Sequence, residues 1–252
     1  IVGVGNVGST LAFTLATKNI CSTLLLKDVR ENIVQAVALD ISQATNAAKS
    51  KTITKACLSD EEFSNCDIVV ITAGVPRRPG MSRDDLLLTN AKIMISIINN
   101  TIKYNPNVII IVVSNPLDAM VYTALKASNI SRNKIIGMAG ILDSARMSHF
   151  IFEKLGYGQG QIDASVMGGH GDDMVPLADF STVAGVKLEE LLSKDDIDDI
   201  VEKTKNGGAQ IVKLLETGSA YYAPAYSTSL MIEAILEDKR KIYPCAVMLE
   251  GE

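Results

Sequence analysis

Two stretches of the chain, Ile68 to Ile71 and Val108 to Val113, are apolar at every position. A strand with one face in water alternates apolar and polar residues. Unbroken runs this short therefore require a strand covered on both faces, as in a parallel sheet flanked by helices. Similar runs recur, each followed by helical periodicity. IVGVG precedes an amphipathic stretch from Val7 to Lys18, and STLLLKD precedes ENIVQAVALDISQATNAA. CDIVVITAG precedes a loop and DDLLLTNAKIMISIINNTIKYN; NVIIIVVSNP precedes LDAMVYTALKAS; KIIGMAG precedes LDSARMSHFIFEKLG. Repeated strand–helix units of this kind predict an α/β domain with a doubly wound parallel sheet over residues 1–140.

From Ile141 onward the texture changes. QIDASVMGGHG and VPLADFSTVAG read as strands joined by a tight polar turn. Helices are expected from Asp195 to Thr217 and from Ser227 to Asp238, and then a final strand. Residues 141–252 are thus expected to form a second, α+β lobe. The chain opens on IVGVGNVG without a methionine and stops in the strand-like CAVMLEGE. The expectation is that a few residues precede Ile1 and that the second lobe is truncated at its C-terminal end.

Composition excludes several classes of function. With 252 residues, 47% of them hydrophobic and 21% charged, the chain can bury a substantial core. A formal charge of -5 argues against a nucleic-acid partner, which calls for a basic face. No apolar run approaches the length of a membrane span. The four cysteines, Cys21, Cys57, Cys66 and Cys245, lack the paired spacing of a zinc site or a redox dithiol. They read as free thiols in a reducing cytoplasm, and no metal is expected.

The chemistry-bearing residues stand out against that background. Gly3-x-Gly5-x-x-Gly8 directly follows a strand and opens a helix, the context a dinucleotide fingerprint requires. Gly3 permits a tight turn, Gly5 lets the backbone approach a pyrophosphate, and Gly8 lets helix and strand pack closely. Asp28 ends the second strand, where a carboxylate can accept hydrogen bonds from both hydroxyls of an adenine ribose. It would repel a 2′-phosphate, which favours NAD over NADP, although Arg30 stands nearby.

Of the two histidines, His149 lies within a helix and reads as structural. His170 lies in MGGHGDD at a strand end, where flexible neighbours leave room for a substrate and an imidazole can exchange a proton near neutrality. Asp143 and Arg146 are spaced i, i+3 in LDSAR and share a helix face, either as a plain ion pair or as partners of that histidine. The loop AGVPRRPGMSR gathers Arg77, Arg78 and Arg83 between prolines that stiffen it and glycines that let it hinge.

Taken in order, GVGNVG, Asp28, ITAGVPRRPGMSRDDLL, VVSNPLD, GMAGILDSAR, MGGHGD and GSAYYAPA resemble the malate/lactate dehydrogenase family, in particular its lactate-dehydrogenase-like bacterial malate dehydrogenases. The resemblance spans nearly the whole chain. It implies a Rossmann NAD-binding domain, a substrate domain and reversible NAD-dependent oxidation of (S)-malate to oxaloacetate. It further implies His170 as proton acceptor oriented by Asp143, with Arg146 on the substrate's C1 carboxylate. Arg83 would polarise the reacting carbonyl, and Asn115 would lie near that carbonyl and the nicotinamide amide. Arg77 stands where lactate-specific members have Gln and would meet the second carboxylate of a C4 acid.

The cofactor contacts implied are Gly3, Gly5, Asn6, Val7, Gly8, Asp28, Asn90, Ser114 and Asn115. A cytoplasmic homodimer or homotetramer acting on a small dicarboxylate, without nucleic acid or membrane, completes the expectation. An L-lactate or broad 2-hydroxyacid dehydrogenase and a non-catalytic nucleotide-binding module remain the alternatives.

Overall fold

The computed structural model describes residues 1–76, 80–171 and 173–251. It divides into two compact units. One comprises Ile1–Met138, Pro224–Lys241 and Val247–Glu252; the other comprises Ala139–Ala223 and Ile242–Ala246.

The helices are α1 Asn6–Thr17, α2 Glu31–Ala47, α3 Arg83–Tyr104, α4 Leu117–Ser128, α5 Gly140–Leu155, α6 Leu188–Leu191, α7 Lys194–Leu215 and α8 Tyr222–Leu236. The strands of the first unit are β1 Thr23–Leu26, β2 Ile53–Ala56, β3 Ile68–Ile71, β4 Ile109–Val112 and β5 Ile135–Gly137.

Every pairing among these strands is parallel: β1 with β2, β3 with β4, and β4 with β5. Val2 makes parallel bridges to Lys27 on one side and Ile71 on the other. With the Val2 segment counted first, the order across the sheet is third, second, first, fourth, fifth, sixth. That is the doubly wound order, in which the chain reverses direction of travel beside the first strand and opens a crevice there. The last three residues of both β3 and β4 are buried, as strands covered on two faces must be. The predicted doubly wound parallel sheet is therefore present.

The helices cover it with narrow apolar stripes. On α1 the buried positions are Gly8, Leu11, Ala12, Leu15 and Ala16, a helical spacing that presents one face to the sheet. The start of α3 is fixed by a capping box: the Ser82 side chain accepts from the Asp85 N–H, and Asp85 accepts from the Ser82 N–H. That cap sets Arg83 as the first helical residue. Within the same unit, α8 buries Ala225, Met231 and Ile232, and Glu233 pairs with Lys18 beyond the end of α1 at 3.4 Å.

In the second unit, β6 Ile162–Asp163, β9 Thr182–Val183 and β10 Val186–Lys187 form an antiparallel sheet in the order β10-β9-β6. β7 Val166–Gly168 and β8 Met174–Pro176 form an antiparallel hairpin, as the polar turn around His170 predicts. Met147, Ile151, Val166, Met174, Val183, Leu188 and Ile200 make this unit's core.

The expected final strand is absent from the described residues, and only Ala246 holds a bridge. The backbone of this run is used differently. Pro244 has no N–H to give a ladder, its carbonyl accepts from the Ile141 N–H at 2.8 Å, and the Met248 carbonyl accepts from the Arg132 guanidinium at 2.8 Å.

Candidate functional site

The glycine turn is built as its residue types require. Gly3 has φ +99°, and a Cβ there would lie 2.6 Å from the Ala73 nitrogen. A Cβ on Gly8 would fall 1.9 Å from the Gly3 carbonyl oxygen, so helix and strand touch backbone to backbone. Around Gly5 a Cβ would meet nothing within 4 Å. Gly5 caps α1 with no side-chain hydrogen bond, and the first turn carries no acidic residue. The N–H groups of Asn6, Val7 and Gly8 thus open α1 beside clear space, with the helix dipole behind them. A dinucleotide pyrophosphate fits such a cradle.

The Asp28 carboxylate accepts from the Val4 N–H at 2.9 Å through Oδ2, and from the Arg30 N–H at 3.2 Å and Nε at 3.3 Å through Oδ1. Val4 sits between Gly3 and Gly5, so this carboxylate also holds the turn. Burial pushes its pKa up, but the hydrogen bonds from Val4 and Arg30 outweigh burial and leave the carboxyl below the usual range. The Arg30 side chain is 59% exposed and the ion pair itself is weak. Thr72, which the motif reading missed, donates from its hydroxyl to the Gly3 carbonyl at 2.7 Å. A hydroxyl directly after an apolar strand was the only signal for it.

Asn90 is buried and ties two loops together. Its Oδ1 accepts from the Val75 N–H at 2.8 Å, and its Nδ2 donates to the carbonyls of Val75 at 3.2 Å and Asn115 at 2.7 Å. The Ser114 hydroxyl is likewise spent on backbone, 2.6 Å from the Ala73 carbonyl. Asn115 is exposed and precedes a cis peptide bond to Pro116. Arg83 is exposed at the start of α3. Arg77, on which the C4 specificity reading rests, lies outside the described residues together with Arg78 and Pro79.

In the second unit the chain brings together three residues that the sequence singled out. Asp143 lies in the first turn of α5, and its side chain is 2% exposed. Its Oδ1 accepts from Arg146 Nη1 at 2.8 Å, and its Oδ2 lies 2.8 Å from His170 Nδ1. The hairpin turn that delivers His170 depends on Gly168, at φ +81°, where a Cβ would come within 2.4 Å of the Asp173 carbonyl oxygen. Ser144 Oγ accepts from the Val166 N–H at 2.9 Å and fastens β7 to α5. His149, by contrast, is exposed with its ring against Phe150.

One carboxylate thus holds an imidazole and a guanidinium at once. Such a set can take up a proton at the imidazole and bind a carboxylate at the guanidinium.

Comparison with known proteins agrees with this geometry. Residues 1–137 match the lactate/malate dehydrogenase NAD binding domain, and residues 141–252 match the lactate/malate dehydrogenase alpha/beta C-terminal domain. Over the whole chain, the malate dehydrogenase of Aliarcobacter butzleri is 68% identical, with 80% of its length covered. That of Sulfurimonas denitrificans is 60% identical, with 79% covered. Among solved structures, the malate dehydrogenase of Picrophilus torridus aligns with a TM-score of 0.94 at 42% identity, covering 100% of this chain and 79% of that one. The lactate dehydrogenase of Cryptosporidium parvum, complexed with lactic acid and nicotinamide adenine dinucleotide, aligns at 0.93 and 36%, covering 99% and 80%. With both of its halves matched and relatives this similar along its full length, the chain belongs to the lactate/malate dehydrogenase family.

Proposed function

We propose that the protein is an NAD-dependent malate dehydrogenase, interconverting (S)-malate and oxaloacetate. The observation that carries the chemistry is the buried Asp143 carboxylate, held 2.8 Å from both His170 Nδ1 and Arg146 Nη1. NAD, when bound, supplies the hydride acceptor.

In this reading Asp143 keeps the proton on Nδ1, so exchange with the substrate falls to His170 Nε2. In malate oxidation His170 takes the C2 hydroxyl proton, and Asp143 stabilises the imidazolium that results. In the reverse direction the protonated imidazole returns that proton to the carbonyl oxygen. Help of this kind is worth ~10²–10⁴-fold. Arg146 binds the C1 carboxylate through its planar fork, which lysine cannot reproduce. Arg83 polarises the carbonyl, Asn115 hydrogen-bonds beside it, and Arg77 meets the second carboxylate.

Gly3, Gly5, Asn6, Val7 and Gly8 cradle the pyrophosphate, and Asp28 binds the ribose hydroxyls. Asn90 and Ser114, whose side chains are spent on backbone, shape the cofactor's surroundings through Val75, Ala73 and Asn115. This reading assigns 1–140 to the cofactor and 141–252 to the substrate. It also takes the protein to be a cytoplasmic homodimer or homotetramer. Among the described residues no helix is long and apolar enough to cross a membrane.

The test is steady-state NADH oxidation with oxaloacetate and with pyruvate. The expected result is a kcat/KM for oxaloacetate at least roughly a hundredfold higher, the scale set by enclosing an unpaired cation. A protein that binds NADH and reduces neither acid would refute the dehydrogenase reading. A preference for pyruvate would leave a lactate or broad 2-hydroxyacid dehydrogenase in its place.

A further inference from the structure

Two consecutive glycines, Gly207 and Gly208, stand in the interior of α7. Interior helical glycine is unfavourable relative to alanine, so a pair of them needs a reason. The reason lies on the facing helix α5. A Cβ on Gly208 would sit 3.3 Å from Arg146 Nη2 and 3.6 Å from both Cζ and Nη1, against the guanidinium itself. The nearest atoms to a Cβ on Gly207 would be Phe150 Cε2 at 3.4 Å and Arg146 Cδ at 3.5 Å. The adjacent glycines are thus unequal: 207 borders the aliphatic stem, and 208 borders the charged head.

The guanidinium has little freedom to yield. Its Nη1 is tied at 2.8 Å to Asp143, and the same carboxylate lies 2.8 Å from His170 Nδ1. Asp143 is almost wholly buried. A push of a few tenths of an ångström on the guanidinium from 208 is therefore passed on to the carboxylate and the imidazole, with the ion pair kept.

We propose that Gly208 is a positioning residue for Arg146: its missing side chain lets the guanidinium lie against the α7 backbone at the height where Asp143 anchors it and a substrate carboxylate meets it. The proposal rests on the dehydrogenase reading for its substrate. Its structural half stands apart from that reading.

The experiment compares Gly208→Ala with Gly207→Ala in the full-length protein. Both remove an interior glycine, so both are expected to keep Tm or raise it by a few degrees. Gly208→Ala is expected to raise the KM for oxaloacetate about fivefold, the few tenths of an ångström that a Cβ demands being scaled from the roughly hundredfold that ~1 Å can cost. Gly207→Ala is expected to stay within about threefold of the parent, and NADH affinity is expected to be unchanged in both. Lower activity at unchanged or higher stability separates positioning from mere structural damage.

Near-parental kcat/KM in Gly208→Ala overturns the proposal, as does an equal loss in the two variants. A parent that reduces no oxaloacetate sinks the functional reading instead. In that event a crystal structure of Gly208→Ala decides: a displaced guanidinium supports the proposal, and one left in its parental place refutes it.

Discussion

Asparagine at position 143 would keep the shape of the side chain and remove its charge. In the folded protein the Asp143 side chain is 2% exposed and its ion-pair partner Arg146 is 15% exposed, so water screens neither well. Removing one member of a buried pair typically costs 3–5 kcal/mol. The residual exposure of Arg146 places Asp143→Asn near the lower end, about 3 kcal/mol. At roughly 2–4 °C per kcal/mol for a chain of this size, Tm should fall by about 6–12 °C.

The catalytic loss has a separate origin. Asp143 Oδ2 lies 2.8 Å from His170 Nδ1 and can only accept, whereas an asparagine amide can donate there. Donation would favour the neutral tautomer with its proton on Nε2, the form unable to accept the hydroxyl proton of malate. Malate oxidation should therefore lose on the order of 10²–10⁴ in kcat. NADH affinity should stay unchanged, because the glycine turn and Asp28 belong to the other unit. Differential scanning calorimetry, stopped-flow malate oxidation and NADH fluorescence titration read the three effects independently. A variant with parental Tm and a kcat within threefold of the parent would show that the carboxylate neither anchors Arg146 nor orients His170.

Two further outcomes are expected. Arg77→Gln should shift the kcat/KM ratio of oxaloacetate to pyruvate by roughly a hundredfold toward pyruvate, since stripping a partner from a desolvated cation costs up to ~3–5 kcal/mol; equal ratios in variant and parent would remove Arg77 from the specificity role. Burial, then Glu62, pushes the Cys57 thiol up to about 11, and burial alone does the same for Cys245. Unfolded thiols titrate near ~8.5. The stability these raised values contribute is fully present below that pH and is lost as pH rises toward 11. Urea midpoints should fall from about pH 8.5 upward, and less steeply in a Cys57→Ala, Cys245→Ala variant; parallel profiles would refute the assignment.

The parts legible in the sequence are those whose signal is local. Ile68 to Ile71 and Val108 to Val113 announced buried strands because unbroken apolar runs of that length have few other uses. Helix α1 begins one residue before the periodic stretch that predicted it. The Gly3, Gly5, Gly8 turn was legible because strand, turn and helix adjoin in the chain.

What failed depended on where backbone groups find partners. CAVMLEGE has a strand's composition, yet the carbonyl of Met248 bonds to an arginine and that of Pro244, just before the run, to a helix N–H. No hydropathy pattern records that. Gly207–Gly208 was visible as a dipeptide, but its meaning lies on α5, some sixty residues earlier in the chain. Residues 77–79 fall outside the described part of the chain, so the specificity reading of Arg77 still stands on its sequence alone.

Asp28, read from its motif as a ribose ligand, and Asp143, read as the group that orients His170, share a further property. Asp28 spends Oδ2 on the Val4 N–H inside the glycine turn, and Asp143 spends Oδ1 on Arg146. Each therefore organises protein groups before any ligand arrives, which is the arrangement that preorganised electrostatics needs: charges fixed in advance need no rearrangement when the reaction begins. It also means that removing either carboxylate disturbs scaffold and ligand together, so its measured cost cannot be divided between them by single substitution. Gly208 offers a cleaner handle on the same machinery. It touches the guanidinium only through the space it leaves open, and filling that space alters position while every charge stays in place.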